Sequence, residues 1–211
     1  KSKTKGHSVG DTGAVTFTVP FEVPPNRQDM VPEVALSYSS QLPLRGGVAA
    51  GWSMDIPLIE VDTSQGTMKG TNYRSSLSAG RLIKVKALEN LVVPGFQTTQ
   101  EYRAAEDDRY VKYERVFDET GTVLWRAYTT DGRIYELGGT PESRDTPNGN
   151  TAAGVTEGRF FVTKITDRFG NEVQYNYTKV WAPAPGVTGI LQQMEIVLQS
   201  IEYGKNANAG L

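Results

Sequence analysis

Residues 13–27 read G-A-V-T-F-T-V-P-F-E-V-P-P-N-R, residues 31–40 read V-P-E-V-A-L-S-Y-S-S, and residues 47–53 read G-V-A-A-G-W-S. In the first run Val15, Phe17 and Val19 alternate with Thr16 and Thr18. In the second, Val34, Leu36 and Tyr38 alternate with Ala35, Ser37 and Ser39. A period of two places apolar side chains on one face of an extended chain, so each run predicts a strand with one buried face. Pro20, Pro24, Pro25 and Pro32 lie between or beside the two runs. Each fixes φ and lacks an N–H donor, so the connection cannot lie inside a sheet and must cross an edge.

Outward from there, Gly51-Trp52-Ser53 leads into M-D-I-P-L-I-E-V, where Ile56, Leu58 and Val61 continue a strand that Pro57 interrupts. Trp52 is expected as a core anchor, its large ring sealing one end of a sheet. Residues 62–80 are rich in Ser, Thr and Gly and predict a surface excursion. The run 81–93 is open to two readings. Leu82, Ile83 and Val85 alternate in part, whereas Val85, Leu88, Leu91 and Val92 fit one or two helical turns before Pro94-Gly95.

Residues 110–138 predict a three-stranded meander. Val111, Tyr113 and Phe117 share a face, Val123 and Trp125 run back, and R-I-Y-E-L-G returns. Asp131-Gly132 is expected to supply the positive φ of a two-residue hairpin turn, and Gly121 a looser one. Residues 139–158 have almost no apolar side chains and predict a long polar loop. A hairpin follows, turning on Asp167, Gly170 and Asn171, with Val173, Tyr175 and Tyr177 lining one face. In 190–204, Leu191, Met194, Leu198 and Ile201 fit a helix. Ile196 with Leu198, and Ile201 with Tyr203, fit a strand with a one-residue shift, and the Ile/Val content selects the strand with a bulge.

The composition agrees. Of 211 residues, 38% are hydrophobic and 22% charged, and 22 Gly, 11 Pro and 10 Tyr suit short strands joined by tight turns, an all-β chain. Lys and Arg number 22 against 24 Asp and Glu, so no basic field invites nucleic acid. No run approaches a membrane span, and the absence of cysteine removes disulfides and thiol chemistry. Residues 1–12 and 205–211 are expected as tails of a segment from a longer polypeptide, with one β domain over 13–204.

The order V-P-P-x-R, P-x-V-x-L-S-Y-S-S and G-W-S resembles the N-terminal domain family shared by the Salmonella virulence plasmid B protein (SpvB) and the B components of insecticidal Tc toxins, relatives of Rhs/YD-repeat shell proteins. Trp125, Asp131, Gly132, Tyr135 and Gly138 follow a hairpin pattern of that family. The run D-R-F-G-N-x-V-x-Y-x-Y is similar to one YD repeat, and S-I-E-Y-G, with Tyr203 and Gly204, to its closing strand. Asn26 stands where the family commonly has Gly after the paired prolines, a position where Asn tolerates left-handed geometry. The resemblance implies antiparallel strands and hairpins in a sandwich-like sheet or shell strip, with few short helices. It also implies a non-catalytic structural module of a secreted toxin. Partners would be other domains of its parent chain or a toxin-complex subunit, with a host receptor or glycan as a further possibility. The motif residues it marks are Pro24, Pro25, Tyr38, Gly51, Trp52, Trp125, Asp131, Gly132, Asp167, Gly170, Asn171, Tyr175, Tyr177, Tyr203 and Gly204.

No catalytic residue, metal site or cofactor is expected. His7 is the single histidine and falls in the expected tail, so no Ser-His-Asp triad can be built on it. Glu106, Asp107 and Asp108 read as a solvated loop rather than a calcium site. Arg27, Ser37-Tyr38-Ser39 and Gln193-Met194-Glu195 superficially match the short patterns of ADP-ribosyltransferases. No Glu-x-Glu occurs, and the serines belong to the strand motif. The alternative function is a carbohydrate- or receptor-binding β domain, with Tyr73, Tyr102, Tyr110 and Trp181 as exposed aromatics.

Overall fold

The computed structural model describes residues 5–9, 14–41, 48–62, 64, 72–88, 96–106, 109–118, 123–145, 158–186, 188–189 and 191–208. The chain packs as two compact units, Lys1–Ile56 and Pro57–Leu211. Every strand pairing is antiparallel, and helix is confined to 3-10 turns at Arg27–Asp29 and Pro141–Ser143 among the described residues.

The first unit is a sheet in the order β1 (Lys5–Val9), β2 (Val15–Pro20), β3 (Ala35–Ser39) and β4 (Trp52–Met54). Its register sets Phe17 opposite Tyr38 and Tyr38 opposite Trp52, so the apolar face predicted from alternation becomes one aromatic row across three strands. Trp52 meets Tyr38 at 5.3 Å between centroids and Phe17 edge-on at 6.3 Å. Gly51 makes the row possible. Its φ is +75°, and a Cβ there would lie 2.6 Å from the Tyr38 ring.

The stretch read as an N-terminal tail contributes β1, whose K-G-H-S-V has no apolar period. It is held in the sheet by its pairing with β2. Pro24 and Pro25 lie exposed in the β2–β3 connection, outside any strand. Left-handed geometry falls on Gln28 (φ 55°) and Asp29 (φ 53°), not on Asn26, which is extended at φ −134° and donates from Nδ2 to the Met30 carbonyl at 2.9 Å. Met30 is the buried residue of this loop, 2% exposed, and its N–H closes the turn on the Arg27 carbonyl at 3.1 Å.

The second unit contains β5 (Leu58–Val61), β6 (Tyr73–Ser75), β7 (Ala79–Leu88), β8 (Phe96–Glu106), β9 (Lys112–Asp118), β10 (Val123–Tyr128), β11 (Ile134–Leu137), β12 (Arg159–Thr166), β13 (Asn171–Pro183) and β14 (Leu191–Asn206). Eight of them, β5 to β12, close on themselves because β12 pairs with both β5 and β11. Closure removes the exposed edges that an open sheet of this length would carry. Trp125 is fully buried and packs against Tyr73 (4.8 Å), Tyr102 (5.0 Å) and Phe160 (6.4 Å). These four rings come from four different strands, so the aromatic cluster ties opposite walls together.

Several sequence expectations are corrected or decided here. Tyr73 and Tyr102 are buried, so they are not exposed ligand-stacking rings, and β6 sits inside the stretch read as a surface excursion. Of the two readings left open for 81–93, the described part is a strand, β7, with extra residues opposite β8 disguising its period. Thr130–Gly132 make a three-residue loop closed by Thr129 N to Arg133 O at 3.0 Å, with positive φ at Gly132 alone, rather than a two-residue turn. Gly121 and residues 89–95 and 146–157 lie outside the described residues.

Candidate functional site

The feature that distinguishes the second unit is where β12 forks. On one edge its first residues, Arg159–Phe161, pair with β5, and its last, Lys164–Thr166, pair with β13. Between the two ladders Val162 donates its N–H to the Pro57 carbonyl, and its own carbonyl accepts the Tyr177 hydroxyl at 2.6 Å. A side chain thus supplies a bond where the strands diverge. Burial, reinforced by Tyr175, pushes the Tyr177 phenol far above its ordinary value, which keeps it a donor. The Phe161 ring packs against Tyr177 at 5.6 Å between centroids, tilted by 39°.

From the fork, β13 and β14 leave as a two-stranded ribbon. β13 has 13 residues and β14 has 16, and the three unpaired residues are all on β14: Met194, Gln199 and Gly204, the last with φ +91°. One face carries Val173, Tyr175 and Tyr177 opposite Tyr203, Ile201 and Leu198. A second tie holds the ribbon. Asp145 accepts from Arg159 Nε and Nη2, both at 3.0 Å, from the Arg159 N–H at 2.9 Å, and from Gln193 Nε2 at 2.8 Å. Desolvation alone would raise the Asp145 carboxyl, but the Arg159 hydrogen bond and charge hold it below the usual carboxylate range.

At the base of the ribbon two turns of one design stand side by side. Asp167 N donates to Asn171 O, and Gly170 takes φ +82°, repeating the geometry of Thr129, Gly132 and Arg133. A Cβ on Gly132 would lie 3.8 Å from Arg168 Cβ, which places the turns in contact. The Asp167 carboxylate accepts from the Phe169 and Asn171 N–H groups and from Asn171 Nδ2, all within 2.9 Å. In the other turn Asp131 takes bonds from Thr129 and from the Arg133 N–H. Asn206 Nδ2 reaches Asn171 Oδ1 at 2.8 Å, and Ala207 N the Gly170 carbonyl, so the end of β14 is fastened to the turn.

The structure therefore groups Asp131, Gly132, Asp167, Gly170 and Asn171 at one end of the barrel, with Tyr175, Tyr177 and Tyr203 along the ribbon. Trp125 is inside the barrel, while Pro24, Pro25, Tyr38, Gly51 and Trp52 belong to the first unit. Sequence reasoning missed Asp145 and Arg159, which sit in or beside a stretch with no periodic signal. It met Gln193 only in a transferase pattern, whereas that side chain is spent on Asp145. Asp107 and Asp108 lie outside the described residues, among which no group of three acidic, His or Cys side chains could hold a metal. A depression of about 260 Å³ on the outer face is lined by Arg126, Tyr128, Ile134, Glu136, Lys164 and Glu172. Its charges face one another, Arg126 to Glu136 and Lys164 to Glu172, each at 3.9 Å. What the described residues bring together here is shape, strand connectivity and paired charges.

The sequence profile of the family described as SpvB, Salmonella virulence plasmid 65kDa B protein, matches residues 9–194. Among solved structures, TcdB2-TccC3 superposes with a TM-score of 0.75 at 20% identity, over 95% of this chain and 10% of that one. The Photorhabdus luminescens Tc holotoxin pore gives 0.73 at 18% identity, over 94% and 10%. The N-terminal domain of the effector protein SpvB from Salmonella typhimurium strain LT2 gives 0.69 at 18% identity, over 90% and 65%. The chain thus spans about a tenth of the Tc toxin chains it matches. No curated protein sequence matches it.

Proposed function

This chain belongs to the SpvB family, and from that premise we propose that it is a non-catalytic structural module of a secreted bacterial toxin or Rhs-like protein. The SpvB-like module expected over residues 13–204 takes in β1 and the end of β14 as well, and the family match over residues 9–194 runs through both compact units. The module contributes strands to a β-shell or platform that holds or delivers an effector domain encoded elsewhere in its polypeptide. Its partners are other domains of that polypeptide or a subunit of a toxin complex. The observation that carries this reading is the forked β12. It lets a closed barrel carry a long two-stranded ribbon, whose near part is buried against it through Val173, Tyr175 and Tyr177 and whose far part runs on past the last β12 pair.

The test is a paired assay in the full-length parent. Tyr175→Pro breaks the β13 ladder and is expected to abolish intoxication of target cells while cargo activity in a lysate stays at its wild-type level. Equal loss of both overturns the reading. So does NAD-dependent protein labelling by residues 1–211 alone that disappears in Glu195→Ala.

A further inference from the structure

From Val180 to Met194 the chain carries no Asp, Glu, Lys, Arg or His, its longest such run, in a sequence that is 22% charged. This run forms the far end of the ribbon. There Val180 and Trp181 on β13 are 46% and 44% exposed, and Leu191 on β14 is 60% exposed. Past Gln174, the β13 edge facing away from β14 has no strand partner among the described residues. Single exposed apolar side chains are ordinary, but three large ones on an uncharged arm are not.

Charge resumes on both sides of the run. Lys179 lies over the Trp181 ring at 6.0 Å from its centroid, and Glu195 stands opposite Val180. An uncharged centre of Trp, Leu, Val and Met inside a polar rim is the composition of the buried middle of a protein–protein interface. A hairpin made for a lipid surface carries a basic flank, whereas the charges around the base of this arm are mixed, Lys179, Arg144 and Arg159 among Glu142, Asp145 and Glu195.

We propose that the ribbon tip, centred on Trp181 with Val180 and Leu191, is a docking finger that seats in an uncharged apolar cleft formed by the remainder of the same polypeptide. The proposal rests on the module reading above, which supplies a polypeptide in which most of the protein surface lies outside this chain. It adds the contact itself: Trp181 as the anchor with Leu191 on the same face, and Val180 on the opposite face of the finger against the other wall of the cleft.

The experiment uses the remainder of the parent polypeptide as the probe, produced separately and titrated into residues 1–211. Trp181→Asp and Leu191→Asp are each expected to weaken binding by about thirtyfold or more, the loss typical of an interface anchor. Val85→Asp, at an apolar side chain 60% exposed on β7, leaves it unchanged. Far-ultraviolet circular dichroism and melting of each variant confirm folding, and Trp181→Gln repeats the measurement if an aspartate lowers the melting temperature. Absence of binding by the wild type overturns the module reading and this proposal with it. Wild-type binding that Trp181→Asp, Trp181→Gln and Leu191→Asp all leave intact overturns the finger alone. Two further results also overturn it, in favour of lipid or of a second copy. One is a tryptophan fluorescence shift on vesicles of phosphatidylcholine and phosphatidylglycerol that Trp181→Gln abolishes. The other is a concentration-dependent dimer in sedimentation that the same variant abolishes.

Discussion

The Tyr177 hydroxyl bonds the Val162 carbonyl at 2.6 Å across the point where β12 exchanges β5 for β13. Both groups are buried, so removing the donor leaves a carbonyl to be satisfied without it. Tyr177→Phe is expected to cost about 1–3 kcal/mol, with no change in the urea dependence of unfolding. Equilibrium urea denaturation measures it, and a cost near zero means that water reaches the fork.

Asp145 and Arg159 give a pH signature. A folded-state carboxyl held below its unfolded value contributes stability that is fully present above about pH 3.9 and is lost as pH falls through the folded value. Asp145→Asn is expected to cost about 1–2 kcal/mol near neutrality, a figure reduced because Arg159 is 39% exposed and partly screened. The gap between wild type and variant closes on acidification below about pH 4. Denaturation at a series of pH values follows it, and a gap that does not narrow removes the charge from the explanation.

The three tryptophans should rank by burial. Trp125→Ala empties the centre of the barrel and is expected to cost roughly 3–5 kcal/mol. Trp52→Ala costs less, because Trp52 is only half-buried in its aromatic row. Trp181→Ala costs the isolated chain under about 1 kcal/mol. Chemical unfolding of the three variants sets the order, and a Trp181 cost exceeding that of Trp125 means the core has been misassigned.

The paired turns allow an internally controlled comparison. Alanine at Gly132 or Gly170 forces a left-handed backbone at about 1–2 kcal/mol. At Gly170 the new Cβ also approaches Asn208 Nδ2 to 2.6 Å and displaces its bond to the Phe169 carbonyl. Gly170→Ala is therefore expected to be the worse by about 1 kcal/mol, and thermal denaturation of the two variants decides it. Equal losses mean the fastening of the β14 end is not part of the turn's stability.

Much of this was legible in the sequence, for reasons that can be given residue by residue. The alternation in 15–19 and 34–38 predicted β2 and the Leu36–Tyr38 face of β3, because one buried face leaves a period of two. The mismatch between Ile196 with Leu198 and Ile201 with Tyr203 predicted a bulge, and the extra residue is Gln199, between those pairs. The closure of the barrel was not legible. It depends on β12 meeting β5 and β11, strands remote in sequence whose pairing leaves no periodic mark. Nor was the burial of Tyr73, since its strand is three residues long and set in polar sequence. The Asp145–Arg159–Gln193 tie joins side chains that no short motif connects.

The three surplus residues of β14 have a further consequence. Two rails of unequal length that stay bonded along their course must curve, with the longer one outside. Each surplus residue leaves the extended conformation, as Gly204 does at φ +91°, so β14 takes up its extra length in three local bends that turn the ribbon. Because a bulge sets two residues opposite one, a residue can be removed at Met194, Gln199 or Gly204 without turning the apolar face of the strand to the other side. The curvature of the ribbon is thus adjustable in single-residue steps, independently of what its inner face packs against.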